Sequence, residues 1–173
     1  MTARWIANIA VVLGCGYIGV VFASRMEARV RQLEALEAML TQLAFNIGFL
    51  ALPLSEAMRQ AASGQRGVVR RLLEQVTGLL AGRPEITMKE AWEEAIRRQT
   101  GGLCLKQPEM DALYAFAAHL GQGDSKDALD NIQLTAAKLK LARESAQAER
   151  ARDGKLCKGL GFLTGMLIVI LLF

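Results

Sequence analysis

Residues 159–173 read GLGFLTGMLIVILLF and carry no charged side chain. Leu, Ile, Val and Phe near a bilayer centre are each worth roughly −0.3 to −0.6 kcal/mol. Leu160, Phe162, Leu163 and the run from Leu167 to Phe173 therefore sum to roughly −3 to −6 kcal/mol, before the glycines and Thr164 subtract their share. The stretch reads as a membrane helix. At a rise of about 1.5 Å per residue it spans only about 22 Å of a hydrocarbon core of roughly 30 Å, so the helix has to begin earlier. A start at Leu156 gives about 27 Å and lets Lys158 reach back to place its ammonium at the interface. The chain is expected to end within or just across the bilayer, with no second soluble domain after it.

A counterpart lies near the amino terminus. Trp5 to Ala23 (WIANIAVVLGCGYIGVVFA) is uncharged and bracketed by Arg4 and Arg25, which fits a spanning helix with Trp5 at headgroup level. A cleaved signal peptide is the rival, since Val21 and Ala23 suit the cleavage rule, although the run is long for that role and Arg25 follows at once. Inside it, Gly14-Cys15-Gly16-Tyr17-Ile18-Gly19 matches G-x-G-x-x-G, with Glu34 or Glu37 at about the later distance of a ribose-binding acid. That fingerprint needs a second strand ending at the acid. Arg25 to Phe49 is instead helix-patterned and charged, so no cofactor is expected. Small residues such as Gly16 and Gly19, and Gly161 and Gly165 in the second segment, are read as places where another helix packs closely.

The charges are segregated between these segments. All 17 acidic residues and every basic one of the 21 except Arg4 lie between Ser24 and Lys158, and the net charge of the chain is only +4. A water-facing domain between two membrane helices follows, with 5–23 and 156–173 as the spans and 24–155 as the domain. No basic run is interleaved with aromatics, which argues against nucleic acid as a partner. Cys15, Cys104 and Cys157 have no metal-ligand spacing and read as reduced thiols. Arg25, Arg29 and Arg31 follow the first span, and Arg150, Arg152, Lys155 and Lys158 precede the second. The positive-inside rule then places the domain in the cytoplasm and both termini outside.

The domain itself reads as all-α, a bundle of about six helices. Leu33, Leu36, Leu40, Leu43 and Ile47 recur at three and four residues, and Pro53 closes this first helix and opens a second that runs to Gly64. A third runs from Gly67 to Ala81, burying Val69, Leu72, Leu73, Val76 and Leu80 and stopped by Gly82. Thr87-Met88-Lys89-Glu90 is a capping box for a fourth, which buries Ala91, Trp92, Ala95 and Ile96 and ends at Gly101-Gly102. A fifth starts near Pro108 and buries Met110, Leu113, Tyr114, Phe116, Ala117 and Leu120. Asp124 caps the last, whose inward face is Ala128, Ile132, Thr135, Leu139 and Ala142. Its very polar continuation, residues 143–155, is expected to stand clear of the core as a stalk.

Catalysis finds no support. His119 is the one histidine, so neither a histidine metal pair nor an acid–base partner for it exists. Glu93 and Glu94 are adjacent and point about 100° apart on a helix, which is wrong for two carboxylates sharing a proton. Neither a phosphate-binding G-x-x-x-x-G-K-[ST] loop nor G-x-S-x-G is present. What remains is charged helical surface for another protein, with Arg70, Arg71, Glu93, Glu94, Arg97 and Arg98 as candidate contacts or as an ordinary solvated face.

Four stretches resemble the stage III sporulation protein AB family of endospore-forming bacteria, and the resemblance runs the whole length. They are Pro53-Leu54-Ser55-Glu56-Ala57, Ala91-Trp92-Glu93-Glu94, Leu120-Gly121-Gln122-Gly123-Asp124 and Gly159-Leu160-Gly161-Phe162-Leu163. The resemblance implies one copy of the helical domain found in inner-membrane platform proteins of type II secretion and type IV pilus machines. It also implies membership of a channel complex in the mother-cell membrane facing the forespore. The implied partners are a cytoplasmic secretion-type ATPase and ring-forming channel membrane proteins. Platform proteins carry two such domains, so the resemblance suggests a homo-oligomer. On the same ground Glu56, Glu93 and Asp124 are contact residues or helix caps, Gln122 is a candidate contact, and Trp92 and Gly121 are structural. The expected function is a non-enzymatic membrane platform coupling the ATPase to membrane partners. The alternative is a structural adaptor whose domain lies outside the cytoplasm and binds the rings directly.

Overall fold

Where the sequence repeats Leu33, Leu36, Leu40 and Leu43 at helical spacing, the side chains are indeed buried to within a percent of completely, and they form one face of a long first helix. The computed structural model describes the backbone of residues 2–99, 101–120 and 125–172, and the side chains of 17, 19–99, 101–120 and 126–152. Among these residues the chain forms six α-helices and no strand: α1 (Thr2–Gly48), α2 (Leu54–Ser63), α3 (Gly67–Gly82), α4 (Met88–Arg98), α5 (Gln107–His119) and α6 (Ser125–Leu172).

Local chemistry sets the helix limits. Pro53, with φ −56° and ψ 145°, sits just before α2 and cannot extend α1, because it lacks an N–H and holds Leu52 extended. Gly67 has φ +64°, a left-handed conformation that glycine adopts without a Cβ clash, and it turns the chain into α3. At α4 the capping box closes from both sides: the Glu90 N–H donates to Thr87 Oγ1 at 3.2 Å, and the Thr87 N–H donates to Glu90 Oε2 at 2.8 Å. α5 has one side of such a box, with the Lys106 N–H donating to Glu109 Oε2 at 2.7 Å, since a lysine side chain cannot accept the return bond.

The chain divides into two compact units, residues 31–144 and residues 1–30 with 145–173. In the first, α2 packs on α3, α3 on α4 and α4 on α5. Its centre is an edge-to-face pair, Trp92 and Phe116, with ring centroids 5.6 Å apart and planes at 90°. Around it Met58, Leu72, Leu73, Ile96 and Leu113 are fully enclosed. Gln32 on α1 fastens the loop after α4: its Nε2 donates to the Gly102 carbonyl at 2.7 Å and its Oε1 accepts from the Cys104 N–H at 2.7 Å. In the second unit, Val30 and Ala146 are buried, Arg29 pairs with Glu149 at 2.7 Å and Arg150 with Glu27 at 3.5 Å.

Some inward faces differ from the expected ones. Leu79, not Leu80, is the last buried residue of α3, and α3 runs through Gly82 rather than stopping before it. Met110, Tyr114, Ala128 and Ala142 are half-buried. The expectation that 143–155 stands clear as a stalk is corrected over its first part. Arg143 pairs with Glu37 at 2.8 Å, Ala146 is buried, and Glu149 and Arg150 are ion-paired to α1. Those charges have cross-helix partners, which a reading of one segment alone misses.

Among the described residues no helix is long and apolar enough to cross a membrane. Apart from Tyr17 and residues 19–23, the expected spans at 5–23 and 156–173 lie outside the described side chains.

Candidate interaction surface

α4 has one buried and one charged face because its apolar residues recur at three and four: Ala91, Trp92, Ala95 and Ile96 point inward, which leaves Glu90, Glu93, Glu94 and Arg97 toward solvent. Together with Arg83 and Glu85 from the turn before α4, these outer groups line an open concavity. Three residues singled out from the sequence, Glu93, Glu94 and Arg97, thus meet at one place.

Acids outnumber bases there, but most of the charge is engaged locally. Glu94 pairs with Arg97 and, at 2.8 Å, with Arg98. Glu93 lies 3.8 Å from Lys89. Glu90 is committed to the cap, and the Thr87 backbone N–H, followed by the Thr87 hydroxyl, holds its carboxyl below the usual glutamate range. A surface so arranged can read the charge pattern of a protein partner. Exposed pairs of this kind are each worth only about 0–1 kcal/mol to stability, so exchanging a partner costs the fold little.

The other candidates lie elsewhere. Glu56 is in the first turn of α2, favourable for a negative charge, and is bridged by Arg59 at 2.8 Å. Arg70 pairs with Glu74 at 2.7 Å along α3, and Arg71 is exposed beside it. Gln122 and Asp124 lie outside the described residues, as do the surroundings of Gly16, Gly161 and Gly165; Gly19 is half-buried in α1. His119 is exposed at the end of α5. Among the described residues no group of three His, Cys, Asp or Glu side chains is placed to hold a metal ion.

One surface feature went unread in the sequence. Phe45, Phe49 and Leu50, at the end of α1, are exposed. The available signal was composition: from Ala38 to Ser55 there is no charged residue at all, and a single helix face cannot bury that much apolar surface.

The comparisons with known proteins agree with one another. The family model for stage III sporulation protein AB matches residues 4–173. The chain is 29% identical over 169 residues to stage III sporulation protein AB of Bacillus subtilis (strain 168), covering 98% of each. A solved structure of a stage III sporulation protein AB superposes with a TM-score of 0.65 at 26% identity, over 72% of this chain and 98% of that one. With the match running from Arg4 to the last residue, the chain belongs to the stage III sporulation protein AB family.

Proposed function

We propose that this chain is a non-enzymatic membrane platform component of a sporulation channel or secretion-like complex, coupling a cytoplasmic secretion-type ATPase to ring-forming membrane partners. The observation that carries the reading is that one family match covers both uncharged segments and the helical domain between them. The two segments anchor the chain in the mother-cell membrane, α1 and α6 carry them into the domain, and the charged concavity on α4 receives the ATPase. Shape changes in the ATPase then pass along α6 to the second membrane segment. No residue of the chain handles nucleotide in this scheme; the partner supplies the energy.

Cys104 tests the arrangement. With Cys15→Ser and Cys157→Ser it is the one remaining thiol, and it is half-buried, so reactivity is calibrated on unfolded protein. A membrane-impermeant maleimide should leave Cys104 unlabelled in intact cells and label it after lysis. Labelling in intact cells would place the domain outside the cytoplasm and remove the ATPase from reach.

A further inference from the structure

The two helices that lead into the uncharged segments are paired, and their pairing carries a register. Within the unit formed by residues 1–30 and 145–173, Arg29 bonds Glu149 at 2.7 Å and Arg150 lies 3.5 Å from Glu27. Over this stretch α1 and α6 therefore run antiparallel, with Arg29 level with Glu149. The covered edge of α1 is regular. Val30 is buried, and Met26, Ala23 and Gly19 are half-buried at alternating steps of four and three, whereas Tyr17 is 71% exposed, Val20 56% and Phe22 53%. That is the spacing of a two-helix seam, with a repeat of about 3.5 residues. One further step along the sequence reaches Gly16.

On α6 the seam is marked by buried Ala146 and half-buried Glu149. The same steps pass Asp153 and then reach Leu156, Leu160, Leu163 and Leu167. Equal counts away from the Arg29–Glu149 level set Ala23 opposite Lys155 and Trp5 opposite Phe173, so the two uncharged stretches fall at the same depth. They also set Gly19 opposite Gly159 and Gly16 opposite Phe162, each next to a seam leucine, Leu160 or Leu163. Large residues of one helix thus come level with the places where the other has no side chain, an arrangement that lets membrane helices approach closely. Gly161 and Gly165 fall off the seam positions of α6.

We propose that the two membrane segments form one antiparallel hairpin, in which Leu160 and Leu163 of the second close the Gly16–Gly19 notch of the first. The notch is then a contact within the chain and not a place for another protein's helix, and the two segments shift as one body. The proposal rests on the membrane reading of both segments but not on the ATPase, whose side of the membrane the Cys104 labelling tests separately.

The test uses the full-length chain in its membrane, with Cys15, Cys104 and Cys157 replaced by serine and a protease site placed in the turn at 83–87. Two cysteine pairs lie on the seam: Ala23→Cys with Leu156→Cys, and Val12→Cys with Leu167→Cys. Two controls keep the depth but use exposed positions of α1: Ser24→Cys with Leu156→Cys, and Tyr17→Cys with Leu160→Cys. A disulfide needs Cα atoms about 4–7 Å apart. After oxidation, solubilisation and cleavage, both seam pairs should hold the two fragments together on a non-reducing gel, and the controls should release them. Gly19→Leu overpacks the notch and should cut both seam products about fivefold or more per inserted chain, whereas Gly165→Leu should leave them unchanged. Links between two copies, equal yields from the controls, or no link from either seam pair would each overturn the proposal. So would linking at Ala23 without linking at Val12, since the pairing would then stop at the membrane surface.

Discussion

Replacing Trp92 or Phe116 by alanine removes one half of the pair at the centre of the bundle. Both rings are fully buried, and truncating a buried aromatic costs about 3–5 kcal/mol through lost transfer energy and the cavity left behind. Either substitution thus consumes a large part of the 5–15 kcal/mol typical of a domain. The edge-to-face geometry, 5.6 Å and 90°, adds about 0.5–1.5 kcal/mol beyond burial, so the double variant should cost about 1 kcal/mol less than the sum of the singles. Trp92→Phe should be far milder. Trp92 Nε1 is buried without a hydrogen-bond partner among the described residues, and removing that N–H recovers about 1–3 kcal/mol of desolvation, which offsets most of the smaller ring's lost contacts. The assay is equilibrium denaturation of the full chain in detergent, followed by circular dichroism at the helix band. Alanine singles costing less than about 1 kcal/mol, or no coupling between the two sites, would refute the placement of this pair at the centre of the core.

Two further expectations concern local devices. Thr87→Ala removes the α4 cap and should cost about 1 kcal/mol, seen as a fall of about 3 °C in the thermal midpoint. Its partner sets a pH dependence: the Thr87 N–H and hydroxyl hold the Glu90 carboxyl below its usual range, so the cap's contribution is complete above the ordinary glutamate pKa of about 4.3 and is lost as pH falls through the lower folded value. In Glu90→Gln that acid-side portion of the decline should disappear, as a midpoint-against-pH series would show. Gln32→Leu strips both hydrogen bonds from the loop at Gly102 and Cys104. Leaving those backbone groups unpaired should cost about 1–3 kcal/mol, and Cys104 should react severalfold faster with a thiol reagent; an unchanged rate would mean that Gln32 does not restrain the loop.

Most helix limits were legible because each is written in a few adjacent residues: Pro53, the Thr87-x-x-Glu90 box and Pro108 all fall where a helix starts, whereas α4 ends at Arg98, ahead of Gly101-Gly102. What failed needed a partner helix to decide it. Leu79 and Leu80 stand three and four residues after Val76, and helical spacing admits either; the neighbour's position selects Leu79. No feature near Gln32 announces that its amide bonds a loop about 70 residues onward. Of the candidate surface, the α4 charges were visible as a cluster. The Phe45 and Phe49 rings were not, since hydrophobicity marks a side chain as apolar without saying that it is covered.

The polar stretch 143–152 shows why such a correction bears on mechanism. Read alone, RESAQAERAR is a solvated rod, and a rod can pass a displacement along its length by itself. It is instead ion-paired to α1, Arg143 to Glu37, Glu149 to Arg29 and Arg150 to Glu27, so displacing it alone has to break those pairs. The ties differ in strength. Arg150 and Glu27 are both about half exposed, a setting worth at most about 1 kcal/mol, whereas the Arg29 side chain is only 10% exposed, so its attraction to Glu149 is screened less by solvent. Small sliding of α6 along α1 is therefore cheap for the outer pair and limited by the inner one. Under the proposed coupling, a displacement reaching the membrane would arrive through both helices together, with the Arg29–Glu149 pair setting how far one can shift before the other must follow.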